Sequence, residues 1–216
     1  MLKRTISTSC LLLAVLVMPT SLSLSSSMAQ SQNTQQSDIG HQYDALREAK
    51  LEFKDFSFPT LENKTLNLRE ATRGKKLTLV SYFATWCHNS LYEVDVLNEL
   101  YTKYHEQGLE IIGVCVYSSP DELRNFIQQH KPPYPICREG DDKTKDRSNT
   151  THHRYRKQMD DKRRWGTPFN VFISASDIEE RGDTITKRVR LAAGELIKAD
   201  VEEFIRQQLA ATSDKF

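Results

Sequence analysis

LTLVSYFATWCHNSLYEVDVLNEL, Leu77 to Leu100, passes from a mostly apolar, β-branched run into a stretch with helical periodicity, and Trp86, Cys87, His88, Asn89 and Ser90 stand at the join. Leu77 to Ala84 has the pattern of a central strand buried on both faces. Beyond the join, apolar residues at 91, 94, 97, 100, 101 and 104 recur at helical spacing, and Gly108 follows as a C-terminal cap. A cysteine at that join lies at the carboxyl edge of the sheet, where α/β folds place their sites. It also faces the unpaired N–H groups of a helix start, whose dipole favours thiolate over thiol and so makes a nucleophile. Burial as a small hydrophobe is the duller alternative, and polar His88 and Asn89 beside the sulfur argue against it.

Working outward, LEFKDFSFPTLENKTLNLREA (residues 51–71) reads as an edge hairpin around Glu62-Asn63-Lys64, leading to a helical turn near Leu68 to Thr72. Leu109 to Tyr117 repeats the buried-strand pattern, and Ser119-Pro120-Asp121-Glu122 opens a helix with a capping box and a proline at its first position. Pro132-Pro133 ends that helix, YPIC (134–137) is a short strand, and Thr167 to Ser174 is another. DTITKRVRLAAG (183–194) suits an antiparallel strand, and Asp200 is expected to cap a last amphipathic helix carrying Val201, Phe204, Ile205 and Leu209. Strands alternating with helices and closed by a hairpin and a helix predict one α/β sandwich with a mixed central sheet.

The 216 residues allow one domain with appendages. Lys3 and Arg4, the apolar run Cys10 to Met18, and Ser27-Met28-Ala29 have the form of a signal peptide over residues 1–29, cleaved after Ala29. Nine apolar residues fall short of the ~20 that span a bilayer, so no stable membrane span is expected after cleavage. Residues 30–45 are polar and aperiodic, which predicts a flexible linker ahead of a domain at 46–212. The exported chain would hold 28 basic and 29 acidic residues, so bulk charge gives no reason to expect nucleic acid as a partner. It would keep Cys87, Cys115 and Cys137, too few for a disulfide scaffold and odd in number, which leaves at least one free thiol or a bond to another molecule.

From about Phe53 to Leu209 the chain resembles the thioredoxin superfamily, and within it the exported TlpA/ResA-like thiol–disulfide oxidoreductases. The likeness is carried by FATWC (83–87), by LNELYTKYHEQGLEIIGVCVY (97–117), by the inserted helix and strand SPDELRNFIQQHKPPYPIC (119–137) and by GTPFNVFIS (166–174). The resemblance implies a three-layer sandwich with an inserted helix–strand unit and no cofactor. It implies that Cys87 is the attacking cysteine, that Pro168 is a cis-proline facing it, and that the Thr167 backbone pairs with a bound substrate chain. Trp86, His88 and Asn89 would face substrate, and Glu93 matches an acidic residue that manages protons near the site. Those relatives read Trp-Cys-x-x-Cys, whereas here the fourth place is Ser90 and the usual proline before it is Asn89. A hydroxyl forms no disulfide, so the chain can capture a sulfur partner but a different thiol must release it. Ser90 retains the capacity to donate a hydrogen bond to the Cys87 thiolate. The releasing thiol is expected to come from outside, as a protein thiol or a small thiol; Cys115 and Cys137 suit core positions better.

His152 and His153 with Cys87 and His88 match no local metal-binding spacing, so no metal is assigned and the two histidines are expected to be solvated. Residues 143–164 carry nine Lys or Arg against three Asp. They are expected to be a solvated basic face, with attraction of anionic partners or a membrane surface as the lesser reading. Trp165 is expected to pack at the entrance to the cis-proline loop. A peroxiredoxin also attacks with one cysteine, but that family wants a threonine three residues earlier and a proline in the same turn; here Ala84 takes the first place and no proline precedes Cys87 in the strand. The expectation is therefore thiol–disulfide exchange through a mixed disulfide on Cys87. A module that merely binds cysteine-containing partners in the same groove is the alternative, and thiol peroxidase a lesser one.

Overall fold

The computed structural model describes residues 40–141 and 147–211. The expected signal peptide and most of the expected linker lie outside the described residues, as do residues 142–146 of the basic stretch. In chain order the elements are β1 (Tyr43–Asp44), β2 (Arg47–Lys54), β3 (Ser57–Pro59), β4 (Thr65–Asn67), α1 (Leu68–Ala71) and β5 (Leu77–Phe83). Next come α2 (His88–Tyr104), β6 (Leu109–Val116), α3 (Pro120–His130), β7 (Ile136–Glu139) and α4 (Thr151–Gln158). The chain then forms β8 (Phe169–Ser174), β9 (Thr184–Ala192), β10 (Glu195–Leu196) and α5 (Lys198–Ala211).

Six strands make the central sheet, in the order β2-β9-β8-β5-β6-β7. β5, β6 and β7 run parallel, while β8, β9 and β2 add antiparallel neighbours on the other side. Every residue of β5 is buried, as expected for a strand covered on both faces. The two-residue alternation of the strand then divides the core. Leu77 and Leu79 pack with Leu97 and Leu100 of α2 and with Val201 and Ile205 of α5. Val80 and Tyr82 point the other way, toward Leu51, Phe53 and Tyr155 of α4. Phe83 and Cys115 sit with Leu123 and Phe126 of α3 in a third cluster. Each such apolar side chain contributes about 1.5–3 kcal/mol when fully buried.

Local chemistry sets the ends of the elements. Ser119 and Glu122 form the expected capping box of α3 with Pro120 in the first turn. Thr150 caps α4 by accepting from the His153 N–H at 3.1 Å. Gly108 ends the α2 region at φ +110°, a conformation that favours glycine.

Two sequence expectations are corrected here. The last helix begins at Lys198, so Asp200 is not its cap but an acidic residue of its first turn, where it still complements the helix dipole. The stretch expected to stay flexible to residue 45 is structured from its end backward: Tyr43 and Asp44 pair with Glu195 and Leu196 as parallel strands. The Glu195 carboxylate holds that segment, accepting from the Gln42 N–H at 2.8 Å and meeting His41 Nδ1 at 2.6 Å. Among the described residues no helix is long and apolar enough to cross a membrane.

Candidate active site around Cys87

Cys87 occupies the N-cap position of α2, with extended backbone at φ −88° and ψ 116°. Its carbonyl accepts from the Leu91 N–H at 3.0 Å, and its own N–H donates to Ala84 at 3.0 Å, so strand β5 turns directly into the helix. The sulfur is half-buried and donates to the Thr167 carbonyl at 3.3 Å. The Thr167–Pro168 peptide bond is cis, and both residues are buried. Cys87, Thr167 and Pro168 are therefore brought together, although 80 residues separate the first two in sequence.

The other residues expected around the sulfur divide. His88 is exposed at the first position of α2. Trp86 is half-buried; its indole Nε1 donates to the Tyr117 carbonyl at 2.9 Å and its ring meets Trp165 edge-on at 5.3 Å. Trp165 thus packs against the active-site turn, as its place beside the cis-proline loop suggested. Asn89 is half-buried, and its amide donates to Glu195 Oε1 at 2.7 Å, a buried carboxylate that needs donors. Ser90 makes no hydrogen bond to Cys87. Its hydroxyl is buried and without a partner among the described residues, although it stands at the third position of α2, three residues after the cap.

Glu93 lies one turn further into α2 and is buried. Its Oε1 accepts from Asn170 Nδ2 at 2.8 Å and from the Leu196 N–H at 2.9 Å, and Ser81 Oγ lies 3.5 Å from Oε2. Burial pushes its carboxyl up to about 8, against those hydrogen bonds, and the neighbouring Glu195 charge adds to the rise. Glu93 therefore exchanges a proton near neutrality, inside the helix that carries Cys87.

Cys115 and Cys137 belong to the core, as expected. Both are fully buried, and burial pushes both thiols up to about 12. They lie on opposite faces of the sheet, Cys115 beneath α3 and Cys137 beside Val114 and Tyr155. Neither is brought to Cys87.

The basic stretch departs most from its expected solvated state. His152, Tyr155 and Arg156 are buried under α4. His152 Nε2 meets the Gly166 carbonyl at 3.2 Å; a carbonyl can only accept, so Nε2 carries the hydrogen and Nδ1 accepts from the Tyr117 hydroxyl at 3.0 Å. Burial, with the nearby Arg156 charge, depresses the His152 pKa to about 3 and keeps the ring neutral. Arg156 donates to Trp165 O at 2.9 Å and to Asp161 Oδ2 at 3.0 Å. Arg163 donates to Gly166 O at 3.0 Å, to Pro168 O at 3.2 Å and to Asp161 Oδ2 at 2.8 Å. Burial alone would raise the Asp161 carboxyl, but the bonds and charges of Arg163 and Arg156 hold it down at about 2. The carbonyls of residues 165, 166 and 168 are thus fastened from behind while that of Thr167 faces the sulfur. His152, Tyr155, Arg156 and Met159 recur at i, i+3, i+4 and i+7, a helical face that the density of charge conceals. Among the described residues no group of acidic, histidine and cysteine side chains could hold a metal ion.

The chain is 33% identical over 86 residues to a thiol-disulfide oxidoreductase ResA of Bacillus cereus, which is 40% of this chain and 49% of that relative. A ResA of Geobacillus thermodenitrificans is 33% identical over 82 residues, 38% of this chain and 46% of its own length. The chain thus spans about half the length of the curated relatives it matches. A thioredoxin-family thiol:disulfide interchange protein of Chlorobium tepidum superposes with a TM-score of 0.55 at 20% identity, over 74% of this chain and 97% of the other. The thioredoxin domain of a thiol-disulfide oxidoreductase of Bacteroides vulgatus gives 0.53 at 15%, over 74% and 99%. These likenesses establish a thioredoxin-like α/β fold with a mixed central sheet. The sequence profile of the AhpC/TSA family matches residues 49–164, more than half of the chain, and the chain belongs to that family.

Proposed function

We propose that this protein is an exported thiol–disulfide oxidoreductase that works through a mixed disulfide on Cys87 and depends on an external thiol for release. The observation that carries the reading is the placement of one half-buried sulfur at the start of α2 against the Thr167 carbonyl, with Cys115 and Cys137 sequestered in the core. The Cys87 thiolate attacks a partner disulfide, and one partner sulfur leaves as a thiol while the other stays bound. Ser90 cannot take the next step, so a protein or small-molecule thiol must. Glu93, titrating near 8, is the group that would accept or return the proton as the sulfur changes state. Partners are protein thiols and disulfides, and the cis-proline loop at Thr167-Pro168 beside the sulfur is where a partner chain would pair. The ResA relatives are thiol-disulfide oxidoreductases by name, which supports the reaction class. Export is supported by the composition of residues 1–29.

Reduction of a test disulfide in the presence of added thiol, compared with Cys87→Ala, tests the reading. Turnover that vanishes in the variant upholds it. Partner binding that survives the substitution, with no turnover in either protein, would replace it by the binding module. Peroxide consumption above the uncatalysed rate would make the protein a peroxidase. Ser90→Cys supplies the missing second thiol, and it is expected to release a Cys87 mixed disulfide without any added thiol.

A further inference from the structure

The buried Glu195 carboxylate joins the N-terminal strap, residues 41–44, to the helix that carries Cys87. Its Oε1 accepts from Asn89 Nδ2 at 2.7 Å and from the Gln42 N–H at 2.8 Å, and its Oε2 meets His41 Nδ1 at 2.6 Å. An ionised carboxylate only accepts, so His41 Nδ1 carries the hydrogen in that pair. Asn89 is two residues past Cys87, in the first turn of α2. The His41 ring stacks on Tyr43 at 5.2 Å and leans on Tyr92 of α2 at 4.1 Å. A Cβ at Gly194 would lie 2.5 Å from the Gln42 carbonyl, so the glycine is what admits the strap beside Glu195.

The same carboxylate neighbours Glu93. The Leu196 N–H donates to Glu93 Oε1 at 2.9 Å, and Asn170 Nδ2 donates to Glu93 Oε1 at 2.8 Å and to the Gly194 carbonyl at 3.0 Å. Both residues that flank Glu195 in the chain thus belong to the hydrogen-bond network of Glu93, and the Glu195 charge adds to the burial that pushes the Glu93 carboxyl up to about 8. Two carboxylates in one dry site disfavour each other's ionisation, and a cation brought to one relieves the other. His41, when protonated, is the cation paired with Glu195 among the described residues. The other titratable groups nearby do not take that place. Burial, with the Glu93 and Asp95 charges, raises the Tyr134 hydroxyl well above its ordinary value and keeps it neutral. Tyr92 is an exposed phenol against His41, His88 is exposed at the helix start, and Arg47 is committed to Asp44.

We propose that Glu195 is a positioning residue of the exchange reaction: through Asn89 it anchors the helix turn that follows Cys87, and its charge, balanced by His41 of the strap, governs how readily Glu93 releases a proton. The inference rests on the exchange reading above. With the strap docked, His41 offsets the Glu195 charge and Glu93 gives up its proton at lower pH. With His41 withdrawn, the unbalanced Glu195 charge keeps Glu93 protonated to higher pH. Proton exchange in the helix of Cys87 is thereby linked to the docking of residues 41–44.

The test records Cys87-dependent reduction of a disulfide by dithiothreitol from about pH 5 to about pH 10. Titration of the dithiothreitol is common to every variant, so the quantity compared is the inflection that Glu93→Gln removes. It is expected near 8 in the parent protein. In Glu195→Gln it is expected about one unit lower, because the neighbouring charge is gone. In His41→Phe, which keeps a ring between Tyr43 and Tyr92 but has no donor, it is expected about half a unit higher. The position of an inflection does not depend on the fraction of active protein, and a loosened fold that admitted water to Glu93 would move both variants downward. An inflection unmoved in either variant, or moved the same way in both, overturns the role of Glu195 and leaves exchange at Cys87 standing. A profile with no inflection that Glu93→Gln removes does the same. Absence of Cys87-dependent exchange in the parent protein overturns both readings.

Discussion

Cys87, Cys115 and Cys137 occupy two different chemical states, and their surroundings account for the difference. Cys87 lies at a helix start with its sulfur half-buried, whereas Cys115 and Cys137 have no exposed surface and thiols raised to about 12. In the chain that follows the expected signal peptide, iodoacetamide applied to the folded protein at pH 8 is therefore expected to label Cys87 and spare Cys115 and Cys137, and to label all three in denaturant, as read by mass spectrometry of the peptides. Equal labelling of Cys115 in the native state would contradict the burial described here. Glu93 gives a second prediction at this scale. Its folded pKa, about 8, exceeds its ordinary 4.5, so between those values the fold holds a proton that the unfolded chain has released. Stability is therefore lost as pH rises through that window, by at most about 1.4 kcal/mol per unit. Glu93→Gln should flatten this limb in urea unfolding while shifting the pH profile of exchange, which separates proton handling from a purely structural role. Ser90, by contrast, was legible only as a missing thiol; that its buried hydroxyl meets no partner among the described residues is a matter of tertiary packing.

Among the elements, α4 and the loop after it decide the shape of the site. Gly166 has φ +67°, and a Cβ there would lie 1.7 Å from Arg156 Nε. Gly166→Ala combines a left-handed backbone with displacement of the buried guanidinium, and it is expected to cost at least about 2 kcal/mol and to slow exchange by loosening the Thr167 carbonyl. Asp161→Asn tests the same unit from the other side. It leaves two guanidiniums with one fewer counter-charge, for an expected loss of about 3 kcal/mol by thermal unfolding. The Asp161 contribution is present above the ordinary carboxylate pKa of 3.8 and disappears as pH falls toward 2. Tyr117, at φ +60°, closes a ring of contacts from Trp86 through His152 to Gly166. A bulky residue held in that conformation marks a position fixed by its neighbours rather than by its own preference. The strands and helices flanking Cys87 were readable because each has a strong period and a recognisable cap. α4 was obscured because its buried face includes a histidine and an arginine, types that read as solvent-exposed until their partners are known.

For the whole molecule, the opposed titrations predict a plateau in stability. His152, depressed to about 3 from 6.5, makes stability fall as pH drops below 6.5, because the unfolded chain then takes a proton that the fold refuses. Glu93 makes stability fall as pH rises above 4.5. Between about 4.5 and 6.5 the two slopes offset one another, so the urea midpoint is expected to be nearly constant there and to decline on either side. The N-terminal strap offers a further check. Glu195 joins Asn89 of α2 to His41 and Gln42, and Glu195→Gln is expected to lower the unfolding free energy by about 1–3 kcal/mol and to increase hydrogen exchange in residues 40–44.

The linear chain by itself determined the central strand, the helix that follows it, the place of Cys87 between them and the absence of a second thiol there, because periodicity and caps are local properties of neighbouring residues. Only the tertiary structure decided where Asn89 and Ser90 point, that Glu93 is paired with Asn170 and the Leu196 N–H, and that His152, Arg156 and Arg163 fasten the cis-proline loop. The reason is physical: a buried polar group is defined by partners far away in sequence, and no local pattern encodes which donor will meet which acceptor once the sheet closes.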